Sequence, residues 1–156
     1  MQRSDAISVL IKSNMSTENN LLRRLHRQAF GEHTGISSGC RRDINRIKNN
    51  YHHKEFSLGC DDAEIFTDLA WELLGGYIAN NDHLENIDLV GCHLTDAKIS
   101  FLFGNYKAPG SLKRLKLSNN TFRLNGIRNM VLLLRNARNL TEIRMGYNDN
   151  INTECF

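Results

Sequence analysis

The chain has 156 residues, of which 40% are hydrophobic and 24% charged, with 11 glycines and one proline. These proportions fit one ordinary folded domain and exclude both a disordered chain and a collagen-like one. Counting along the sequence gives 20 leucines and 19 asparagines, and this paired excess needs a structural reason.

The start of the chain lacks the marks of an exported or membrane-bound protein. The apolar run over residues 6–11 is broken by Ser8 and is too short for a signal-peptide core or a membrane span. The sequence therefore predicts an intracellular protein, cytoplasmic or nuclear, with no membrane span. Four scattered cysteines form no CxxC pair, so reduced thiols are expected rather than a disulfide framework or a zinc site.

Residues 1–50 form a basic segment that reads as helical. They carry nine Lys/Arg against four Asp/Glu, whereas residues 51–156 carry eleven against thirteen. Ser4-Asp5 precedes one apolar cluster, Ser16-Thr17 precedes a second that includes Leu21, Leu22, Leu25 and Ala29, and a third helix is predicted from Gly39 or Cys40 to Lys48. Ile44 and Ile47 should face inward, and residues 31–39 read as a flexible linker.

The arginines of this segment leave two interpretations open. They could meet an acidic partner, a phosphate backbone or a membrane surface. They could instead form a solvated helix face. We favour this interpretation because no aromatic side chains lie between the arginines, as base stacking would require.

The strongest signal is a repeat in the second part of the chain. The segments that begin at Leu84, Leu112 and Leu140 match position by position and are equally spaced, which gives a 28-residue period. A weaker unit begins at His53, at a slightly longer interval before the first of these. Terminal repeats are commonly atypical, which suits these departures.

Helices are predicted between the repeated segments. Ile65, Leu69 and Leu73 recur at every fourth residue and indicate an amphipathic helix. Thr95 or Asp96 should cap a short helix whose inward residues are Ile99, Leu102 and Phe103. Asn125 should cap another, with an apolar face of Ile127, Met130, Val131 and Leu134.

The repeated segments resemble the leucine-rich repeat, L-x-x-L-x-L-x-x-N/C-x-L, and the 28-residue period resembles its ribonuclease-inhibitor-like subclass. The resemblance covers residues 51–156, with about four units that start near residues 53, 84, 112 and 140. It implies an α/β solenoid, a short right-handed horseshoe segment with parallel β-strands and outer helices. A solenoid needs its first core face covered, so residues 1–50 are predicted to form a helical N-terminal cap.

Each position of the unit then has a physical role. In a strand of period two, the pairs Ile87/Leu89, Leu115/Leu117 and Ile143/Met145 face the core. The ninth position carries a buried side chain that satisfies the backbone groups where the chain leaves the strand. This ladder position is assigned to Asp61, Cys92, Asn120 and Asn148.

The residues between the inward ones should face outward and line up in columns across the sheet. One column contains Glu55, Asn86, Arg114 and Glu142, and the next contains Ser57, Asp88, Lys116 and Arg144. The resemblance implies that this concave face binds a protein partner, which the sequence does not identify. The predicted partner-binding residues are Asn86, Asp88, Arg114, Lys116, Glu142, Arg144 and Tyr147, with Tyr147 as the best anchor.

No catalytic or metal-binding motif is present, so the sequence predicts no enzyme, no cofactor, no metal and no small-molecule substrate. Two alternatives to the protein-binding module stay open. One is nucleic-acid or acidic-surface binding through the basic N-terminal helices. The other is an incomplete array that self-associates through an uncovered C-terminal edge strand.

Overall fold

A computed structural model describes residues 9–11, 20–104 and 108–148 of the chain. Predicted features outside these ranges are the Ser4-Asp5 and Ser16-Thr17 helix starts and everything after Asn148. In the described ranges, no helix has the length and apolar character needed to cross a membrane. The elements are α1 (Asn20–Phe30), a 3-10 helix (Glu32–Thr34), α2 (Ser38–Lys48), β1 (Glu55–Ser57), α3 (Cys60–Ile65), α4 (Asp68–Ala79), β2 (Asn86–Asp88), α5 (Asp96–Phe103), β3 (Arg114–Lys116), α6 (Leu124–Asn129), α7 (Val131–Asn136) and β4 (Glu142–Arg144).

Helix α2 follows the prediction closely. Ser37 caps it by accepting a hydrogen bond from the Cys40 amide, and Ile44 and Ile47 are buried. The segment before it differs from the flexible linker that its composition predicted. It holds the 3-10 helix, and Ile36 is buried in the core, because Thr34 closes a turn onto the Gly31 carbonyl that directs the chain inward.

Side-chain contacts tie the N-terminal helices to the following part of the chain. Helices α1 and α2 both pack against α4. Ser37 donates to Asp62 from both its amide and its hydroxyl group, each at 2.7 Å. The buried Asn81 donates to the Ile47 carbonyl and accepts from the amides of its own turn. The C-terminus of α2 is therefore bonded directly to the loop that leads into β2.

The strands form one parallel sheet in the order β1-β2-β3-β4. Glu55, Asn86, Arg114 and Glu142 are aligned across it, so each pairs with its counterpart in the next unit. The sequence separation is 31 for Glu55 and Asn86 and 28 for Asn86 and Arg114. The sheet therefore confirms the period of the repeat. Its inward residues Phe56, Ile87 and Leu115 are buried in one core together with the sole tryptophan, Trp71 of α4. Ile143 of β4 was also predicted to face the core, but it is 38% exposed, because no further strand of the described residues follows β4 in the sheet.

Two of the predicted helices are broken where the sequence favoured continuous ones. Phe66 adopts an extended backbone between α3 and α4, and Thr67 caps α4 through the Ala70 amide, so Ile65 is exposed rather than inward. The helix predicted from Asn125 is interrupted at Met130, which ends α6 and precedes α7. The break turns Val131 outward, so it is exposed.

Helix α5 has the predicted Thr95 cap and the predicted inward residues. The N-terminus of the neighbouring helix α6 is capped by a residue of α5, Asp96. Both the Arg123 and the Gly126 amides donate to Asp96 Oδ1 at 2.7 Å. An acid of one unit thus satisfies the first amides of the next helix, where Asn125 had been expected to act.

Candidate partner-binding face

The outward side chains of the four strands form what we call the open face of the sheet. In each of the first three strands the middle residue, Phe56, Ile87 or Leu115, is buried. The flanking residues point to the opposite side because side-chain direction alternates along a strand. The open face comprises Glu55, Ser57, Asn86, Asp88, Arg114, Lys116, Glu142 and Arg144.

The pairing register places these side chains in the two predicted columns. Glu55, Asn86, Arg114 and Glu142 are consecutive partners across the sheet, as are Ser57, Asp88, Lys116 and Arg144. Parallel strands lie about 4.8 Å apart, so neighbours in a column are within reach of each other's polar groups.

Hydrogen bonds run along the first column. Asn86 Nδ2 donates to Glu55 Oε1 at 3.0 Å, and Arg114 Nε donates to Asn86 Oδ1 at 2.6 Å. Asn86 therefore connects the acidic Glu55 to the basic Arg114. The asparagine amide can do this because it has both donors and an acceptor.

The second column pairs opposite charges. Lys116 Nζ lies 3.1 Å from Asp88 Oδ2, and Arg144 Nε bonds to Glu142 Oε1 of the first column. Counting ionised groups, the open face carries Glu55, Asp88 and Glu142 against Arg114, Lys116 and Arg144, so its formal charge is zero. These pairs are solvent-exposed and add little to stability, but they order the side chains.

The open face is a shallow depression of about 260 Å³ that all four strands line. Small-molecule sites are usually deeper and mainly apolar, with a few polar groups. A broad polar surface with charges of both signs is instead suited to a complementary protein surface.

A second row of charges lies at the residue before each of the first three strands. Lys54 Nζ and Lys113 Nζ lie 3.1 and 2.9 Å from the two carboxylate oxygens of Glu85. Hydrogen bonds from Lys113 and Lys54 lower the pKa of this partly exposed carboxyl group. No sequence motif marks this row, although its members share one position of the repeat.

The turn after each of the last three strands needs a left-handed residue. Gly91, Asn119 and Tyr147 occupy the same place in their units, with φ of 69°, 56° and 57°. Glycine and asparagine adopt this conformation readily, whereas a tyrosine there is strained by roughly 1 kcal/mol or more. Tyr147 is also 83% exposed, so no burial of its ring compensates the strain.

The ladder residues form a repeated set of hydrogen bonds to the preceding unit. Cys92 Sγ donates to the Leu58 carbonyl, Asn120 Nδ2 to the Leu89 carbonyl and Asn148 Nδ2 to the Leu117 carbonyl, at 3.3, 2.9 and 3.1 Å. All three acceptors are equivalent residues at strand ends. Each ladder side chain therefore joins two successive units.

Asp61 does not belong to this set. Its side chain is exposed in the first turn of α3, beside Asp62, and the prediction of a ladder role was wrong. The reason is local: the first unit has no left-handed turn after β1, because Gly59 serves as the N-cap and the chain enters a helix at Cys60. Acidic residues in a first helical turn interact favourably with its free amides.

The basic N-terminal segment contains a surface that the sequence analysis missed. Helix α2 ends in a Schellman motif in which Asn50 takes the left-handed position and the Tyr51 amide returns to the Arg46 carbonyl. This return places Tyr51 beside the arginines of α2. The resulting depression of about 460 Å³, the arginine–tyrosine surface, is lined by Ser38, Arg41, Arg42, Asn45, Arg46 and Tyr51.

The reactive side chains of the described residues form no metal-binding cluster, since no group of three or more His, Cys, Asp or Glu side chains there could hold a metal ion. Burial raises the pKa of the Cys40 and Cys92 thiols to about 12, which keeps both in the unreactive protonated form. His26 lies against the Tyr77 hydroxyl group inside the helical layer rather than in an open cleft.

Solved structures with a similar fold include domains of leiomodin and tropomodulin. Leiomodin-1 actin-binding site 2 matches with a TM-score of 0.64 and 20% identity, over 77% of this chain and 69% of that one. The tropomodulin C-terminal domain from Caenorhabditis elegans matches with a TM-score of 0.56 and 15% identity, over 69% of this chain and 64% of that one. No family model and no curated protein sequence matches the chain.

Proposed function

We propose that the chain is a non-catalytic protein-binding module built as a leucine-rich-repeat array of the ribonuclease-inhibitor-like subclass. The 28-residue spacing of the aligned strands supports this architecture. Residues 1–50 act in this proposal as the N-terminal cap. In support, helices α1 and α2 pack against α4, the helix that follows the first strand. Phe56 of that strand is 2% exposed, whereas Ile143 of the last strand is 38% exposed.

The binding surface in this proposal is the open face together with Tyr147. The observation that carries it is the strained, exposed position of Tyr147, because strain that no internal contact repays points to a role outside the fold. A rigid aromatic ring beside ordered charges is typical of an interface anchor. Charges of both signs in fixed positions give such a face specificity for one complementary partner.

Actin is the first partner to test. The solved leiomodin-1 domain with this fold is described as an actin-binding site. The surface that such a partner would meet here is the open face, which carries charges of both signs. The fold alone is common to both proteins, so the assay must decide between actin and other partners by residue-specific changes.

The test compares two double variants in actin co-sedimentation and in anisotropy titrations with labelled monomeric actin. Arg114→Glu with Lys116→Glu changes the open face, while Arg128→Glu with Arg135→Glu makes the same charge change on the exposed sides of α6 and α7. We expect the first to weaken binding about tenfold or more, roughly 1.4 kcal/mol, and the second to leave it unchanged.

Two results would count against the proposal. Equal weakening by both variants would mean that net charge, and not the open face, governs binding. Absence of binding by the unmodified chain to either form of actin would reject actin as the partner. The open face would then be tested by a photo-crosslinker placed at Ser57, whose neighbour in the second column is Asp88.

A second candidate function is binding of single-stranded nucleic acid at the arginine–tyrosine surface. The specific observation is that Tyr51, an exposed aromatic ring, lies with three arginines in one depression. Base stacking on an aromatic ring combined with backbone neutralisation by arginine is the usual mode of such binding. Asp43 contacts Arg42 and Arg46, which leaves a local formal charge of +2 for Arg41, Arg42, Arg46 and Asp43 together.

Anisotropy with a labelled twelve-nucleotide DNA strand tests this candidate at several salt concentrations. We expect affinity to fall with rising salt and Tyr51→Ala to weaken binding by about 1–3 kcal/mol. Tyr147→Ala is the matched control and should have no effect. No binding at low salt would eliminate the candidate, and equal effects of the two variants would eliminate stacking on Tyr51.

A further inference from the structure

The last strand of the sheet has a free edge in the part of the chain that the structure describes. Strand β4 pairs with β3 on one side, and the strand order places no further strand beyond it. Its middle residue Ile143 is 38% exposed, whereas the equivalent Ile87 and Leu115 are 1% and 0% exposed. An apolar residue at an open strand edge favours pairing with another chain.

Backbone hydrogen bonds show which groups of β4 point toward β3 and which point away from it. The Glu142 amide donates to the Lys113 carbonyl, and the Arg144 carbonyl accepts from the Leu117 amide, so both residues turn their backbone groups toward β3. Backbone direction alternates from residue to residue in a strand. The N–H and C=O groups of Ile143 therefore point away from the sheet, toward the free edge.

We propose that this edge binds a second copy of the same chain, with the two β4 strands antiparallel about a two-fold axis at Ile143. In an antiparallel pair, opposite residues of the hydrogen-bonded type exchange both N–H···O=C bonds. Among the described residues, none hydrogen-bonds to the outward backbone groups of Ile143, so they are placed for this exchange with Ile143 of the other copy. A two-fold axis also makes the contact closed, so it yields dimers and not fibres.

The charges that flank Ile143 favour this arrangement. With Ile143 opposite itself, Glu142 of one copy faces Arg144 of the other, and the reverse pair forms at the same time. Opposite charges directly across an antiparallel pair are stabilising, while like charges are destabilising. The sequence Glu-Ile-Arg is thus complementary to itself in this orientation, which argues for a second copy over an unrelated strand.

The contact is small, since β4 has only three residues. Interfaces below about 1,200 Å² are usually weak and transient. We therefore expect a concentration-dependent dimer with a dissociation constant in the micromolar range or weaker. This inference does not depend on the proposed partner of the open face.

Sedimentation velocity of the full chain over roughly 5–500 µM, a range chosen to span weak dimers, tests the proposal. Glu142→Arg places two positive residues in each copy and Arg144→Glu places two negative ones, so each variant alone should dimerise at least tenfold more weakly. An equimolar mixture of the two should form heterodimers, and the chain carrying both substitutions should dimerise like the unmodified chain. Arg128→Glu, at an exposed position of α6 away from the sheet, is the control and should leave dimerisation unchanged.

The complementary mixture makes the test decisive, because it restores the charge pairing without restoring the original sequence. Circular dichroism spectra verify that each variant is folded. A monomer over the whole concentration range would overturn the proposal. So would dimerisation of the single variants at the strength of the unmodified chain, or a mixture that stays monomeric while the unmodified chain dimerises.

Discussion

Replacement of the ladder residue Asn120 by leucine should destabilise the fold by about 3 kcal/mol. The side chain is buried, its Nδ2 group donates to the Leu89 and Leu117 carbonyls, and its Oδ1 atom accepts from the Leu94 amide, all at 2.9 Å. Leucine has a similar size but neither donor nor acceptor. The change therefore isolates the hydrogen bonds from the packing.

The magnitude follows from the groups left without this partner. Leu117 still accepts a hydrogen bond from Asn148, so Asn120→Leu removes a side-chain partner chiefly from the Leu89 carbonyl and the Leu94 amide. A buried polar group without a partner costs about 1–3 kcal/mol, which gives roughly 2–6 kcal/mol for two, less a gain from burying an apolar side chain. Domains of this size are stable by only about 5–15 kcal/mol, so the loss should be evident.

Urea unfolding measures this change, with fluorescence of the single buried Trp71 as the probe. Asn120→Cys should lose less, because Cys92 shows that a thiol can donate to the equivalent carbonyl. Asn125→Leu is the control: this asparagine is exposed, and the change should stay within about 0.5 kcal/mol. If Asn120→Leu and Asn125→Leu had the same free energy of unfolding, the ladder would not stabilise the repeat.

Three further changes have expected outcomes that follow from local geometry. Gly75→Ala should destabilise the fold by about 1–3 kcal/mol, because its added carbon would lie 2.4 Å from the Leu102 carbonyl oxygen. Gly39→Ala in α2 meets open space and should stabilise the fold by about 0.5–1 kcal/mol. Thermal melts of the two variants measure both changes. Burial, with a smaller contribution from a nearby lysine, lowers the pKa of His26 to about 4 from 6.5. As pH falls, the unfolded chain therefore binds a proton at His26 before the folded chain does, and the free energy of unfolding should drop by up to about 3 kcal/mol between pH 6.5 and 4. Urea titrations of His26→Phe over the same pH range should lack this drop. Asp96→Ala should lower the free energy of unfolding by about 1–2 kcal/mol, because it leaves the first amides of α6 uncapped. Asp96→Asn keeps an acceptor oxygen and should lower it less. A larger loss for Asp96→Asn than for Asp96→Ala in urea unfolding would contradict the capping role.

The strands could be predicted because their information is local and periodic. Ile87 and Leu115 recur at the same position of successive units with outward polar neighbours, and that pattern is sufficient to set both the register and the columns of the open face. The same periodicity does not report where a helix breaks. Thr67, a favourable N-cap residue inside an apolar run, was the available signal for the break before α4.

The remaining differences come from contacts between residues distant in sequence. Asp96 caps a helix of the following unit, and Tyr51 approaches the arginines only because a Schellman motif turns the chain back. Neither contact leaves a periodic trace. Alignment of the repeats assigned Asp61 to the ladder position. The backbone does not form that position in the first unit, because the chain enters a helix there instead of a left-handed turn.

The central claim is that the open face and Tyr147 bind a protein partner, and Tyr147→Gly tests it most directly. Gly91 occupies the equivalent turn, so glycine should keep the fold and relieve the strain at this position. Two quantities are measured for this variant and for the unmodified chain: the affinity for actin and the free energy of unfolding. The account predicts unchanged or higher stability together with affinity at least tenfold weaker, about 1.4 kcal/mol; unchanged affinity at unchanged stability would contradict it.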